Sequence, residues 1–230
     1  MQVINLGNIE IEVTQKDIKN VHLSVHPPMG NVRVAAPLHL DLDSIRIYAI
    51  SKMGWIRKQQ DKLKKQKREA PRLYIDRESH YVFGKRYMLK IKPTTGKHQI
   101  ILKPRTIEMY VHVETTFENK KALMDEWRRN ELKAITATLV KKWEKTLSVS
   151  ANAFGVRKMT TKWGSCNEQT KRIWFNLKLS KKPIEFIEYV VAHELVHLLE
   201  RKHNDKFIGY LNKHLPNWRH LKEELNKLPI

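Results

Sequence analysis

Tyr189-Val190-Val191-Ala192-His193-Glu194-Leu195-Val196-His197-Leu198-Leu199 is the stretch on which the reading of this chain turns. Four residues at about 100° each bring His193 and His197 onto one helix face, one turn apart. Two imidazoles so arranged can reach one zinc ion at ~2.0–2.1 Å. Glu194 projects about a quarter-turn away, where it misses the metal yet can touch a water held there, as a general base must. The expected chance occurrence of His-Glu-x-x-His in a chain this rich in histidine is only on the order of a few hundredths. Apolar residues surround the motif, from Ile184 and Ile187 through Leu195, Val196 and Leu199, so the predicted helix is buried nearly all round. Two histidines and a glutamate inside such a helix need partners, and a zinc ion supplies one. Core histidines satisfied by hydrogen bonds are the plainer reading of the same pair.

Zinc needs a third protein ligand and an open position. His203, six residues after His197, is the choice made here. On a continuous helix it would be rotated by roughly 240° from His197, so the helix must end near Glu200 to Lys202. Asn204 and Asp205, suited to capping a new helix, fit a break there. Glu200, His214, Glu223 and Glu224 are rival ligands. The helix itself is expected to start near Pro183, a residue well placed in a first turn.

Working outward, Val156 to Cys166 and Ile173 to Leu179 read as the two arms of a hairpin, with Ile173, Phe175, Leu177 and Leu179 alternating. Trp163-Gly164 either shapes this hairpin or belongs to an exposed edge that pairs with an extended peptide. A helix is predicted over 119–147, with Leu123, Trp127, Ile135, Leu139, Trp143 and Leu147 as its apolar stripe. Earlier strands are read over Tyr81–Ile91, Gln99–Lys103 and Ile107–Val113. The N-terminal part alternates apolar residues at Ile9, Ile11 and Val13, at Val21, Leu23 and Val25, and at Val32, Val34 and Ala36. Pro27-Pro28-Met29-Gly30 supplies the turn between the last two. A helix capped by Asp43 is predicted over 44–67, ended by Pro71. The organisation expected is an N-terminal β-rich lobe with one basic helix over 1–115, then a zincin-like core over 116–230. The fold class is α+β: a twisted sheet, a backing helix and the His-Glu-x-x-His helix.

Three of these stretches resemble the YgjP-like metallopeptidases, relatives of the SprT and WLM proteases. They are Lys162-Trp163-Gly164-Ser165-Cys166, then Asn176-Leu177-x-Leu179 with Pro183, and the Tyr189 to Leu198 stretch followed by His203 and Phe207. The match spans roughly residues 120 to 225, with looser similarity before it. The resemblance implies a zincin fold, zinc at His193, His197 and His203, and Glu194 as catalytic base. Lys162 stands where the family usually has Arg, which touches no ligand. Metzincins also carry a third histidine at this spacing, but with Gly three residues after the second His and a later Met. Here Glu200 holds that position and no Met follows Met159.

Composition bounds the remainder. The 230 residues carry 44 Lys and Arg against 24 Asp and Glu, a formal net charge of +20. Such a field attracts polyanions, and nucleic acid is the common one in cytosol. Arg57, Lys58, Lys62, Lys64, Lys65, Lys67 and Arg68 are its densest cluster, which on the bland reading is a solvated face. One cysteine, Cys166, rules out an internal disulfide framework and a Cys-rich zinc site. It reads as a packing residue, or as a nucleophile whose base cannot be assigned. No stretch nears the ~18 apolar residues of a membrane span, and no signal-peptide core is visible in the first residues. The expectation is a cytoplasmic zinc metallopeptidase acting on protein or peptide, with nucleic acid as a possible partner. The competing expectation is a nucleic-acid-associated protein with a structural zinc, or a protease acting beside DNA. Tyr210 and His214 are considered as side chains assisting the reaction.

Overall fold

Alternation near the N-terminus becomes a four-stranded sheet in the computed structural model, which describes residues 2–26, 29–65 and 70–228. The strands are β1 (Gln2–Leu6), β2 (Ile9–Lys16), β3 (His22–His26) and β4 (Asn31–Pro37), in the order β1-β2-β4-β3. Strands β2 and β4 are parallel, with Ile11 opposite Val32 and Val13 opposite Val34, so the apolar residues of both share one buried face. Ile45, Ala49 and Ile56 complete this core from helices α1 (Leu42–Ser51) and α2 (Met53–Lys65). The single helix expected over 44–67 is therefore interrupted at Lys52, two residues before Gly54, a poor helix former. Its cap is Asp41, whose carboxylate accepts from the Ser44 amide at 2.7 Å; Asp43 lies in the first turn instead. Pro27 and Pro28 of the expected turn, and Lys67 and Arg68 of the basic run, lie outside the described residues.

By its internal contacts the chain forms two units, Met1–Arg68 and Glu69–Ile230. The second contains a sheet of β5 (Ser79–Val82), β6 (Lys85–Pro93), β7 (Gln99–Leu102) and β8 (Thr106–Val111), ordered β5-β6-β8-β7. The strand expected over 81–91 is a hairpin, because Phe83 and Gly84 turn the chain at φ 47° and 80°. Their amides donate to the carbonyls of Ser180 (2.9 Å) and Lys181 (3.2 Å), docking the turn on the segment ahead of the motif helix. Gly84 is needed twice over: its φ is left-handed, and a Cβ there would come within 2.7 Å of Pro183.

Helix α3 (Phe117–Leu147) follows, capped by Thr116. Its buried residues are Met124, Arg128, Leu132, Thr136, Leu139, Val140, Trp143 and Leu147. The predicted stripe matches the C-terminal half but is off by one at the start. A strict four-residue spacing advances 400° per step, so it winds 40° round the helix each time. The true face steps back by one and includes polar Arg128 and Thr136. Beyond it come β9 (Ala153–Arg157), β10 (Gly164–Asn167) and β11 (Arg172–Asn176), in the order β10-β11-β9. The expected hairpin is thus β10 with β11, and β9 is a third strand, parallel to β11. Leu177 and Leu179 leave the sheet for a 3-10 turn over Leu177–Lys181. Helix α4 (Ile184–Val196), α5 (Asp205–His214) and α6 (Trp218–Lys227) complete the chain. Leu132, Trp143, Phe175, Ile187, Val191, Leu195, Phe207 and Leu221 are among the residues of one core, joining α3, β11 and the last three helices. This is the α+β arrangement of sheet, backing helix and motif helix that the pattern implied. Among the described residues no helix is long and apolar enough to cross a membrane.

A buried polar group links α3 to β5. Arg128 donates to His80 Nδ1 (3.4 Å) and to the Tyr81 carbonyl (3.3 Å). His80, 1% exposed, stacks on Tyr74 and lies 2.8 Å from Glu78, though without hydrogen-bond alignment. Burial first, and then the Arg128 charge, pull the His80 pKa down to about 4. The unfolded chain therefore binds the extra proton more readily, and stability is complete above the ordinary histidine pKa of about 6.5 and lost as pH falls from there toward 4. Urea midpoints measured between pH 7 and pH 4 should fall across that window, and His80→Gln should flatten the fall; an unchanged pH dependence in the variant would contradict this account.

Candidate metal centre

Helix α4 is buried around Ile187, Val190, Val191, Leu195 and Val196, which fixes its rotation and turns His193 and His197 toward a cleft of about 480 Å³. The helix ends at Val196, earlier than the expected 200–202, with His197 as its C-cap in a still helical conformation. Leu198 and Leu199 close tight turns onto Leu195 and Val196. Asn204 then caps α5, its side chain accepting from the Phe207 amide at 3.2 Å. The reversal brings His203 back over the motif. One ligand nitrogen from each of His193, His197 and His203 falls within 4.8 Å of the other two. Among the described residues, the rivals Glu200, His214, Glu223 and Glu224 do not join this group. Glu200 lends its backbone carbonyl to His197 Nδ1 at 3.2 Å, and Glu224 pairs with Lys227.

The chemistry of these donors fits zinc. His193 Nε2 and His203 Nε2 face each other at 3.1 Å, close to the ~3.3 Å that tetrahedral bonds of ~2.0–2.1 Å require. Two neutral rings in that pose must share one proton or one cation. If His193 Nε2 accepts, its proton sits on Nδ1, which is buried without a hydrogen-bond partner. Burial, and then the neighbouring histidines, lower the His193 pKa to about 3, which keeps the ring in the neutral form that ligates a metal. The Glu200 carbonyl engages His197 Nδ1 and leaves that ring's other nitrogen to ligate, as ligand-orienting contacts commonly do. Phe207, 2% exposed, contacts all three rings at centroid distances of 4.6–4.9 Å and makes an apolar floor beneath them.

Glu194 is 5% exposed and lines the same cleft. Burial pushes its pKa up to about 8, against the pull of the Lys162 charge. The wall facing it is β10. A Cβ on Gly164 would stand 2.6 Å from Glu194 Oε1 and 2.8 Å from its Cγ. Gly164 is therefore a close-approach glycine rather than a turn former, a distinction its position inside a strand could have signalled. Asn176, 1% exposed, holds this wall: its side chain donates to the carbonyls of Met159 (3.0 Å) and Lys162 (2.7 Å) and accepts from the Lys178 amide. Cys166 also lines the cleft, but burial raises its thiol to about 11 and its side chain packs on the core, which favours packing over nucleophilic attack. Tyr210 and His214 are not among the cleft residues; Tyr189 is, with its ring edge-on to His193 at 5.8 Å.

Residues 19–228 match the family described as YgjP-like, metallopeptidase domain. The chain has no match among curated proteins. Two solved structures are similar to part of it. The metallopeptidase zymogen of Pyrococcus abyssi abylysin is 16% identical, covers 39% of this chain and 90% of its own, and has a TM-score of 0.37. The metallopeptidase zymogen of Methanocaldococcus jannaschii jannalysin is 21% identical, covers 39% and 92%, and has a TM-score of 0.36. Both overlaps are partial, and the fold above stands on the chain's own elements.

The contact between Gly164 and Glu194 generates a coupling that thermodynamics can read. Gly164→Ala should destabilise by about 1–3 kcal/mol through overpacking. In a Glu194→Ala background, where the opposing carboxylate is gone, the same substitution should cost nearly nothing. Equal costs in both backgrounds, measured by urea unfolding, would show that the two residues do not press on one another.

Proposed function

The chain belongs to the YgjP-like metallopeptidase family, and from that premise we propose that it hydrolyses peptide bonds with one zinc ion on His193, His197 and His203 and with Glu194 as general base. The observation that carries this reading is a buried carboxylate beside three converging imidazoles in one cleft. When bound, zinc supplies a Lewis acid that acidifies water and, as a nearby positive charge, draws down the Glu194 pKa. Glu194 takes the proton of the attacking water and returns it to the departing amine. Burial raises the proton affinity of Glu194 and the bound cation lowers it, and the base must be the ionised carboxylate that the cation favours. Gly164 and the Asn176 clamp hold the wall against which that carboxylate rests. Strand β10, an edge of its sheet, offers backbone groups with which an extended peptide can pair. Every residue in this account lies within 116–230, which we take as the catalytic core, part of the compact unit that begins at Glu69. A protein with one free thiol suits the reducing cytosol.

A purely structural zinc is the weaker alternative. Structural sites are closed by four ligands, and it would leave a buried Glu194 in the cleft without a task. A contact with nucleic acid is compatible with either role, through the exposed Arg57, Lys58, Lys62, Lys64 and Lys65 of α2. Labelled single- and double-stranded DNA should then bind with an affinity that falls steeply with salt. Changing Lys58, Lys62, Lys64 and Lys65 to Ser should weaken that binding; none at low salt would discard the contact.

Purified protein should carry about one zinc per chain, and His193→Ala, His197→Ala or His203→Ala should each sharply reduce it. Glu194→Gln should keep its zinc and lose roughly 10²–10⁴-fold in proteolysis. Full zinc occupancy in the three histidine variants would remove the ligand assignment. Equal proteolysis by Glu194→Gln would remove the base.

A further inference from the structure

The mechanism uses the imidazoles and one carboxylate of the cleft, and leaves three cations unused. Lys162 comes from the segment ahead of β10, Arg201 from the turns after α4, and Lys222 from α6. Three separate parts of the chain thus bring positive charge to one cavity. Lys162 does not sit on a loose loop, because its carbonyl is held by Asn176 at 2.7 Å and the next carbonyl, that of Trp163, by the Asn176 amide at 2.8 Å.

The opposing charge is small. Among the described residues lining the cleft, the carboxylates are Glu168 and Glu194. Glu168 is engaged with Arg201 at 3.7 Å, and Glu194 is buried and committed to the reaction. A lysine or arginine of a substrate would meet Lys162 and Lys222 with no unengaged carboxylate to receive it. A carboxylate in the same position would be attracted by both. Like-charge contacts reject a substrate as effectively as opposite charges select one.

We propose that this site selects peptides bearing a carboxylate next to the scissile bond, with Lys162 and Lys222 as the specificity-determining residues and Arg201 as a weaker, partly neutralised contributor. The inference rests on the peptidase reading above. The carboxylate is either an internal Asp or Glu side chain or the free C-terminus of the substrate. Both lysines are exposed, so the preference is screened by salt.

The test is a panel of fluorogenic peptides sharing one core sequence, with Glu, Gln or Lys on either side of the cleaved bond. Each is made with an amidated and with a free C-terminus, and kcat/KM is measured at low and at high salt. Glu peptides should exceed their Gln counterparts tenfold or more, and Lys peptides should fall below both. The contrast should shrink in high salt and in Lys162→Ser and Lys222→Ser. A free C-terminus that accelerates the Gln peptide as much as an internal Glu would assign the carboxylate to the chain end; acceleration by Glu in the amidated series assigns it to the side chain. Lys peptides cleaved as fast as Glu peptides, or a contrast unchanged in both variants, would overturn the inference. The Gln peptide reports hydrolysis alone, so loss of all cleavage would count against the peptidase reading instead. Selectivity is then read by fluorescence anisotropy of the labelled peptides on Glu194→Gln protein, where equal affinity for Glu and Lys peptides overturns the inference independently of turnover.

Discussion

Helix α4 stops at Val196, and the geometry of the site depends on that stop. Had the helix continued, His203 would sit roughly 240° round from His197 and face away. The turns that follow spend Leu198 and Leu199 amides on the last helical carbonyls, and the Asn204 cap restarts the chain in a new direction. The reversal also carries Phe207 beneath the three imidazoles. Burial of α4 does the complementary work. A helix packed on nearly every side cannot rotate, so its burial fixes the directions in which the two motif histidines and Glu194 leave it.

The second fixed element is the strand wall opposite the helix. Gly164 lets β10 approach Glu194 more closely than any side chain permits, and Asn176 ties the preceding loop to the sheet with both of its amide hydrogens. Together they leave the carboxylate poorly solvated, which is why its proton affinity is raised. The close approach of the strand and the poor solvation of the carboxylate are one packing feature.

Much of this was legible in the residues. The motif spacing gave the helix and its two ligand candidates, and Asn204 marked the restart that His203 needs. Three of the four strands of the first sheet followed from period-two alternation, β1 (Gln2–Leu6) being missed, and α3 was found almost to its ends. What escaped has common physical causes. Arg128 lies on the buried face of α3 because His80 and the Tyr81 carbonyl receive it, and Thr136 because its hydroxyl donates to the Leu132 carbonyl one turn back; apolar patterning is blind to both. The Phe83-Gly84 turn interrupts an otherwise continuous strand pattern, and it is held by carbonyls nearly a hundred residues later. Gly164 reads as a hairpin-shaping residue beside Trp163, although its place inside a strand is the signal of a close-approach glycine. Lys162, Arg201 and Lys222 are ordinary members of a very basic chain until the fold gathers them at one cleft.

The central claim is that three histidines from a helix and its returning turn hold one zinc ion. Crystals of the zinc-loaded protein, with anomalous diffraction collected on both sides of the zinc edge, test it most directly. The account predicts a single strong anomalous peak about 2.0–2.1 Å from one imidazole nitrogen each of His193, His197 and His203, with no protein carboxylate or thiolate bonded to it. A peak bonded by Cys166 or by any of Glu200, Glu223 and Glu224 in place of His203, or no peak at the motif, would contradict it.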